Sequence, residues 1–170
     1  MSDWWIVKNN FDYSKIQNDF NNQNIEWLDN IGTGHGTKWC HVKLSNDTIR
    51  EIEKSIGTPI DTSQMYVWDY GKKKELPLHI DTDEWNVGNW IAVVIPFVGN
   101  FHLEAFDQSS TTKLDEVDYG PGDILILNNR KYPHQGHVID ETRIAFHTYL
   151  KTPNYVIEET LSKNMESHRL

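Results

Sequence analysis

The chain has a single cysteine, Cys40, so no internal disulfide can staple it. It has no apolar run of the roughly 18 residues that a membrane-spanning helix needs. The longest such run, "IAVVIPFV" (91–98), has the length of a buried strand. The N-terminus, "MSDWWIVKNN", lacks the basic leader and long apolar stretch of a signal peptide. Basic residues are scarce: 16 Lys and Arg stand against 25 Asp and Glu, for a net charge of −9. Such a surface repels a phosphate backbone. The one basic cluster, "KKK" at 72–74, reads as a solvated hairpin tip. Internal repeats and low-complexity segments are absent. The expectation is a reduced, cytoplasmic protein with no membrane and no nucleic-acid partner; the oligomeric state is not legible.

What is present suits one compact domain with a real core: 170 residues, with seven Trp and seven Tyr. "SNDTIREIEKSIG" (45–57) is the best helix. Ser45, Asn46 or Asp47 can cap it, Ile49, Ile52 and Ile56 share a face, and Gly57 stops it before Pro59. Beyond Pro59 the pattern changes to short strands: "QMYVWDY", "LPLHID", "NWIAVVIPF", "NFHLEAFD", "KLDEVDY", "GDILILNN", "GHVI" and "RIAFHTYL". Strands at this spacing, with turns between, indicate a sandwich or barrel. The organisation expected is a single domain: helical and loop support over 1–60, a jelly-roll core over 64–150, and a helix or tail over 155–170.

Within "ELPLHIDTDEWN" (75–86), His79 and Asp81 are two positions apart, so on a strand they face the same way. Two His and one carboxylate form a facial triad that leaves metal positions open and suits Fe(II) oxygen chemistry. A third ligand has to come from a distant strand, and "YPHQGHV" offers His134 and His137. A competing pair, His102 and Glu104 in "FHLE", lies only 32 residues before His134, room for two strands. The 55 residues from His79 to His134 suit ligand strands that pair across a barrel, so His79 and Asp81 are preferred. In "RIAFHTYL", Arg143 shares a face with Ala145, His147 and Tyr149, and a buried guanidinium needs an anion. Tyr66, Trp68 and Tyr70 share one face of "MYVWDY". The glycine-rich "GTGHGTKW" lacks the spacing of a phosphate-binding loop and reads as a loop near the barrel mouth.

The order H-x-D, then "YGPGDILILNN", then "YPHQG", then an Arg on the next strand resembles the Fe(II)- and 2-oxoglutarate-dependent oxygenases, the prolyl hydroxylase branch most of all. The resemblance covers about residues 64–150. It implies a double-stranded β-helix, that is, a jelly-roll, cupin-like barrel. It implies Fe(II), 2-oxoglutarate and O2 as cofactors, and it admits ascorbate. The metal ligands carried over are His79, Asp81 and His134. Arg143 lies nine positions after His134 but six after His137, which selects His134 on the family's spacing. Arg143 would bind the far carboxylate of 2-oxoglutarate, with Tyr70 as a second contact. Trp85, Trp90 and His137 are candidates for the substrate mouth. The implied activity is hydroxylation of a peptide or protein side chain, or of a small molecule, with release of succinate and CO2. The alternative is a non-oxidative, metal-binding cupin-type protein acting as an isomerase or sensor.

Overall fold

The computed structural model describes residues 5–29, 37–71, 75–79, 91–128, 133–140 and 142–151. The strands are β1 (Trp5–Lys8), β2 (Leu28–Asp29), β3 (Lys38–His41), β4 (Tyr66–Asp69), β5 (Glu75–His79) and β6 (Ile91–Val98). They continue with β7 (Phe101–Phe106), β8 (Lys113–Tyr119), β9 (Ile124–Asn128), β10 (His134–Val138) and β11 (Ile144–Tyr149). Two helices, α1 (Ser14–Asn21) and α2 (Asn46–Ile56), precede β4. Seven strands form one antiparallel sheet in the order β1-β9-β6-β11-β4-β3-β2, and four form a second in the order β5-β10-β7-β8. This is the jelly-roll architecture that the strand spacing indicates.

Each face of the larger sheet has its own core. The outer face meets the helices: Ile16 of α1 and Ile52 and Ile56 of α2 pack with Cys40, Val67, Ile91, Val93, Ile95 and Phe146. The inner face meets the smaller sheet: Trp5, Tyr70, Val94, Leu125 and Ala145 pack with Phe101, Leu103, Ala105, Tyr119 and Val138. Because β6 is covered on both sides, "IAVVIPFV" is an unbroken apolar run with seven consecutive buried residues. Burial also pushes the Cys40 thiol above its usual range, which makes it a small apolar core residue and not a nucleophile.

The helix expected over 45–57 is α2. Ser45 caps it by accepting from the Thr48 backbone N–H at 3.3 Å, and Gly57 ends it in the left-handed region at φ 78°. The Asp19 carboxylate ties α1 to that cap, accepting from the Ser45 N–H at 2.8 Å and the Thr48 hydroxyl at 2.7 Å. The first sixty residues supply more than helices. β1 completes one edge of the larger sheet beside β9, while β2 and β3 extend the other edge beyond β4. The "KKK" cluster, the glycine-rich loop over 32–36 and the segment 155–170 lie outside the described residues.

Candidate active site

β5 is an edge strand that pairs with β10, and its register decides where His79 points. Leu76 is opposite Gly136 and His79 is opposite His134, so three steps on β5 match two on β10. That extra residue is a β-bulge. Simple alternation from Leu76 would turn Leu78 inward; the bulge leaves Leu78 37% exposed and turns His79 toward His134 instead. Pro77 sits inside the irregular stretch, as expected of a proline in an edge strand.

The two imidazoles meet with ring centroids 4.3 Å apart, and His134 is buried. His79 Nδ1 lies 2.7 Å from the Pro77 carbonyl oxygen. A carbonyl can only accept, so the proton is on Nδ1 and the lone pair of the neutral ring is on Nε2, the arrangement a metal ligand needs. His137 is on the opposite face of β10, exposed, with its ring 5.1 Å from that of His102. Asp81, Trp85 and Trp90 lie outside the described residues.

Arg143, immediately before β11, is only 1% exposed. Its guanidinium carbon is 4.5 Å from the Tyr70 ring centroid and 4.6 Å from that of Phe101, so the cation is held between two aromatic faces. Nη2 donates to the Tyr119 hydroxyl at 2.8 Å. Nε and Nη1 have no hydrogen-bond partner among the described residues. Each buried, unsatisfied donor costs about 1–3 kcal/mol, so the pocket calls for an anionic acceptor such as a carboxylate beside the guanidinium. Burial pushes the Tyr119 phenol up to about 12, against the lowering effect of Arg143. The phenol therefore stays protonated at neutral pH and keeps an O–H to donate.

Sequence reasoning singled out Tyr70 and Arg143, and the structure packs them together; their backbones are also joined, the Tyr70 N–H donating to the Arg143 carbonyl at 3.0 Å. It missed Tyr119 and Phe101. Both were legible in part, because alternation along "KLDEVDY" and "FHLEAF" puts them on the inner face. Gly136 was also missed. A Cβ there would lie 2.3 Å from the His102 carbonyl oxygen and 2.5 Å from the Phe101 ring, so only glycine lets Phe101 reach Arg143. His134 and Val138 bound β10, and Val138 is opposite Phe101. The His79–His134 pair and the arginine end of the barrel are thus about 13 Å apart along the strand, a gap to be shared by a long side chain and a small diacid.

The competing pair His102 and Glu104 joins Glu116 on the outer face of the smaller sheet, with ligand atoms within 4.8 Å of one another, a group that could hold a metal ion. Its positions already have partners. Lys113 Nζ lies 2.6 Å from Glu116 and 3.4 Å from Glu104. Gln135 donates to Glu104 at 2.6 Å, and His102 Nδ1 meets Asp118 at 2.6 Å. The Asp118 hydrogen bond raises the His102 pKa, favouring the protonated ring.

No family model matches the chain, and no curated protein sequence matches it. Solved structures do. A prolyl hydroxylase from Trichoplax adhaerens, in complex with a hypoxia inducible factor oxygen degradation domain peptide fragment, superposes with a TM-score of 0.61 at 14% identity, over 95% of this chain and 88% of its own. A 2OG-Fe(II) oxygenase family protein from Burkholderia pseudomallei gives 0.61 at 12% identity, over 86% and 84%. OsALKBH1 gives 0.63 at 11% identity, over 88% and 99%. At such identities the likeness is one of fold: the chain has the barrel found in 2-oxoglutarate oxygenases.

Proposed function

We propose that this chain is an Fe(II)- and 2-oxoglutarate-dependent dioxygenase that hydroxylates a peptide or protein side chain, with Pro, Asp and Asn as the residues that family analogy suggests. The observation that carries the reading is Arg143, buried between Tyr70 and Phe101 with Nε and Nη1 unpartnered among the described residues. A fixed, buried cation with donors left to satisfy is the counterpart of a carboxylate.

His79 and His134, with Asp81 as third ligand, would hold the iron. Bound together, iron and 2-oxoglutarate supply the oxidising chemistry: the diacid loses CO2 to become succinate while one oxygen atom of O2 enters a substrate C–H bond. The chain's own residues bind and orient. The Arg143 guanidinium donates to the far carboxylate of the diacid, and Tyr119 holds Nη2 in place. Tyr70 and Phe101 exclude water from the ion pair, which strengthens it. The Pro77 carbonyl fixes the His79 tautomer. A non-oxidative cupin-type protein would have no use for the buried arginine. Calorimetric titration of 2-oxoglutarate into anaerobic, iron-loaded protein tests the reading: saturable heat and later succinate formation are expected, and absence of heat ends it.

A further inference from the structure

The larger sheet has seven strands and the smaller four, so the larger is the wider. β3, next to the outermost strand on the side beyond β4, carries Trp39 and His41 on the face that Trp68 and Tyr70 present to the barrel. Across β3 and β4, Trp39 is opposite Trp68 and His41 is opposite Tyr66. The rings form one wall. Trp39 and Trp68 are near parallel with centroids 6.2 Å apart, and Tyr66 stands 5.8 Å from Trp39 and 5.0 Å from His41. Trp68 lies 6.4 Å from Tyr70, whose other neighbour is the Arg143 guanidinium. Tyr70 is buried, Trp39, Tyr66 and Trp68 are half-buried and His41 is exposed, so the wall runs from the arginine pocket out to solvent.

The Arg143 guanidinium stands at the inner end of the wall. In β3 and β4 its face holds no lysine or arginine; Lys38 alternates to the other side. The Tyr66 phenol is raised by burial and then by the field of Asp61, which sets a carboxylate close to this face. The whole chain carries −9. Aromatic faces attract cations, and an acidic surface draws them in. We propose that this wall is the substrate-recognition surface and that it binds a cationic side chain, a lysine or arginine near the reacting residue of a peptide or protein partner. The proposal rests on the dioxygenase reading for the word substrate, and on the wall alone for the chemistry of the partner.

Its test separates the two. Protein without added iron or 2-oxoglutarate is titrated into labelled nonapeptides of glycine and serine carrying three lysines, three leucines or three glutamates, and into a labelled single-stranded DNA nonamer, with anisotropy as the readout. The lysine peptide should bind at least about tenfold more tightly than the others. Trp39→Ala should weaken it about twofold to thirtyfold, and Trp39→Phe less. His41→Lys, a change at an exposed position, should weaken it with an unchanged melting curve. Equal or tighter binding of the leucine, glutamate or DNA probe, no binding of any, or indifference to His41→Lys overturns the proposal. A protein that binds the lysine peptide but not 2-oxoglutarate overturns the dioxygenase reading and leaves the wall standing.

Discussion

A single side chain, Arg143, separates the oxygenase reading from the alternative. Charge-assisted hydrogen bonds are worth about 1.5–3 kcal/mol each, so Arg143→Ala should raise the 2-oxoglutarate dissociation constant tenfold to several hundredfold, on the order of 1.4 kcal/mol per decade. Iron binding should survive, and lysine at this position should recover part of the affinity as a charge without the planar fork. Calorimetry on both variants checks this. Gly136 makes a sharper test of the aromatic clamp. Gly136→Ala should displace Phe101 and weaken 2-oxoglutarate binding although residue 136 touches no ligand, and a titration against wild type reads the loss. For the metal, His134→Ala should abolish turnover and His137→Ala should leave it nearly intact, since the two side chains point to opposite faces of β10. His102→Ala should keep the iron; loss of metal in that variant would move the site to His102, Glu104 and Glu116. The sequence singled out His79, His134 and Arg143 by residue type and spacing, and in the structure the two imidazoles meet and the arginine is buried. Tyr119 and Phe101 were legible only as inward-facing residues and Gly136 not at all, because an inward aromatic or a glycine in a strand reads as ordinary packing until its neighbour is known.

Among the elements, those with local signals were legible. α2 announces itself by its caps and its apolar stripe, β6 and β9 by apolar runs, and β7 and β8 by alternation, with turns between. Ser45→Ala should cost about 1 kcal/mol of stability by removing the cap, more if Asp19 is left without its anchored partner; a denaturation midpoint measures it. α1 was hidden because its sequence, "SKIQNDFN", is polar and carries no capping bond from the side chain of Tyr13; Ile16, 1% exposed, holds it by tertiary burial. β1 and β3 are four residues each and β2 is two, too short for periodicity to speak, and the partner of β1 is far away in sequence. The bulge in β5 had a signal that alternation alone does not use: Pro77 in the middle of the strand. Without that bulge His79 would face away from His134, so the strand irregularity is part of the site.

At the scale of the whole molecule, the buried arginine pocket ties stability to alkaline pH. Tyr119 holds its proton up to about 12 in the folded chain, against 10.0 for the ordinary phenol. Between those values the unfolded chain releases a proton that the folded chain keeps, so stability falls as pH rises from 10 to 12. The loss should reach about 2–3 kcal/mol at 1.36 kcal/mol per unit, and Tyr119→Phe should flatten that limb of a melting-temperature profile. The sheet order has a consequence in time. Trp5 pairs with Leu127, 122 positions later, and β1 is the outermost strand on that side of the larger sheet. On a ribosome adding roughly 5–20 residues per second, β1 waits about 6–24 s for its partner to be made. Once made, the apolar β9 is itself an open edge until β1 docks, and open apolar edges recruit other chains. Residues 5–8 therefore act as a built-in guard for β9: a chain lacking them should still assemble its remaining strands but should aggregate during synthesis, in proportion to how fast it is expressed.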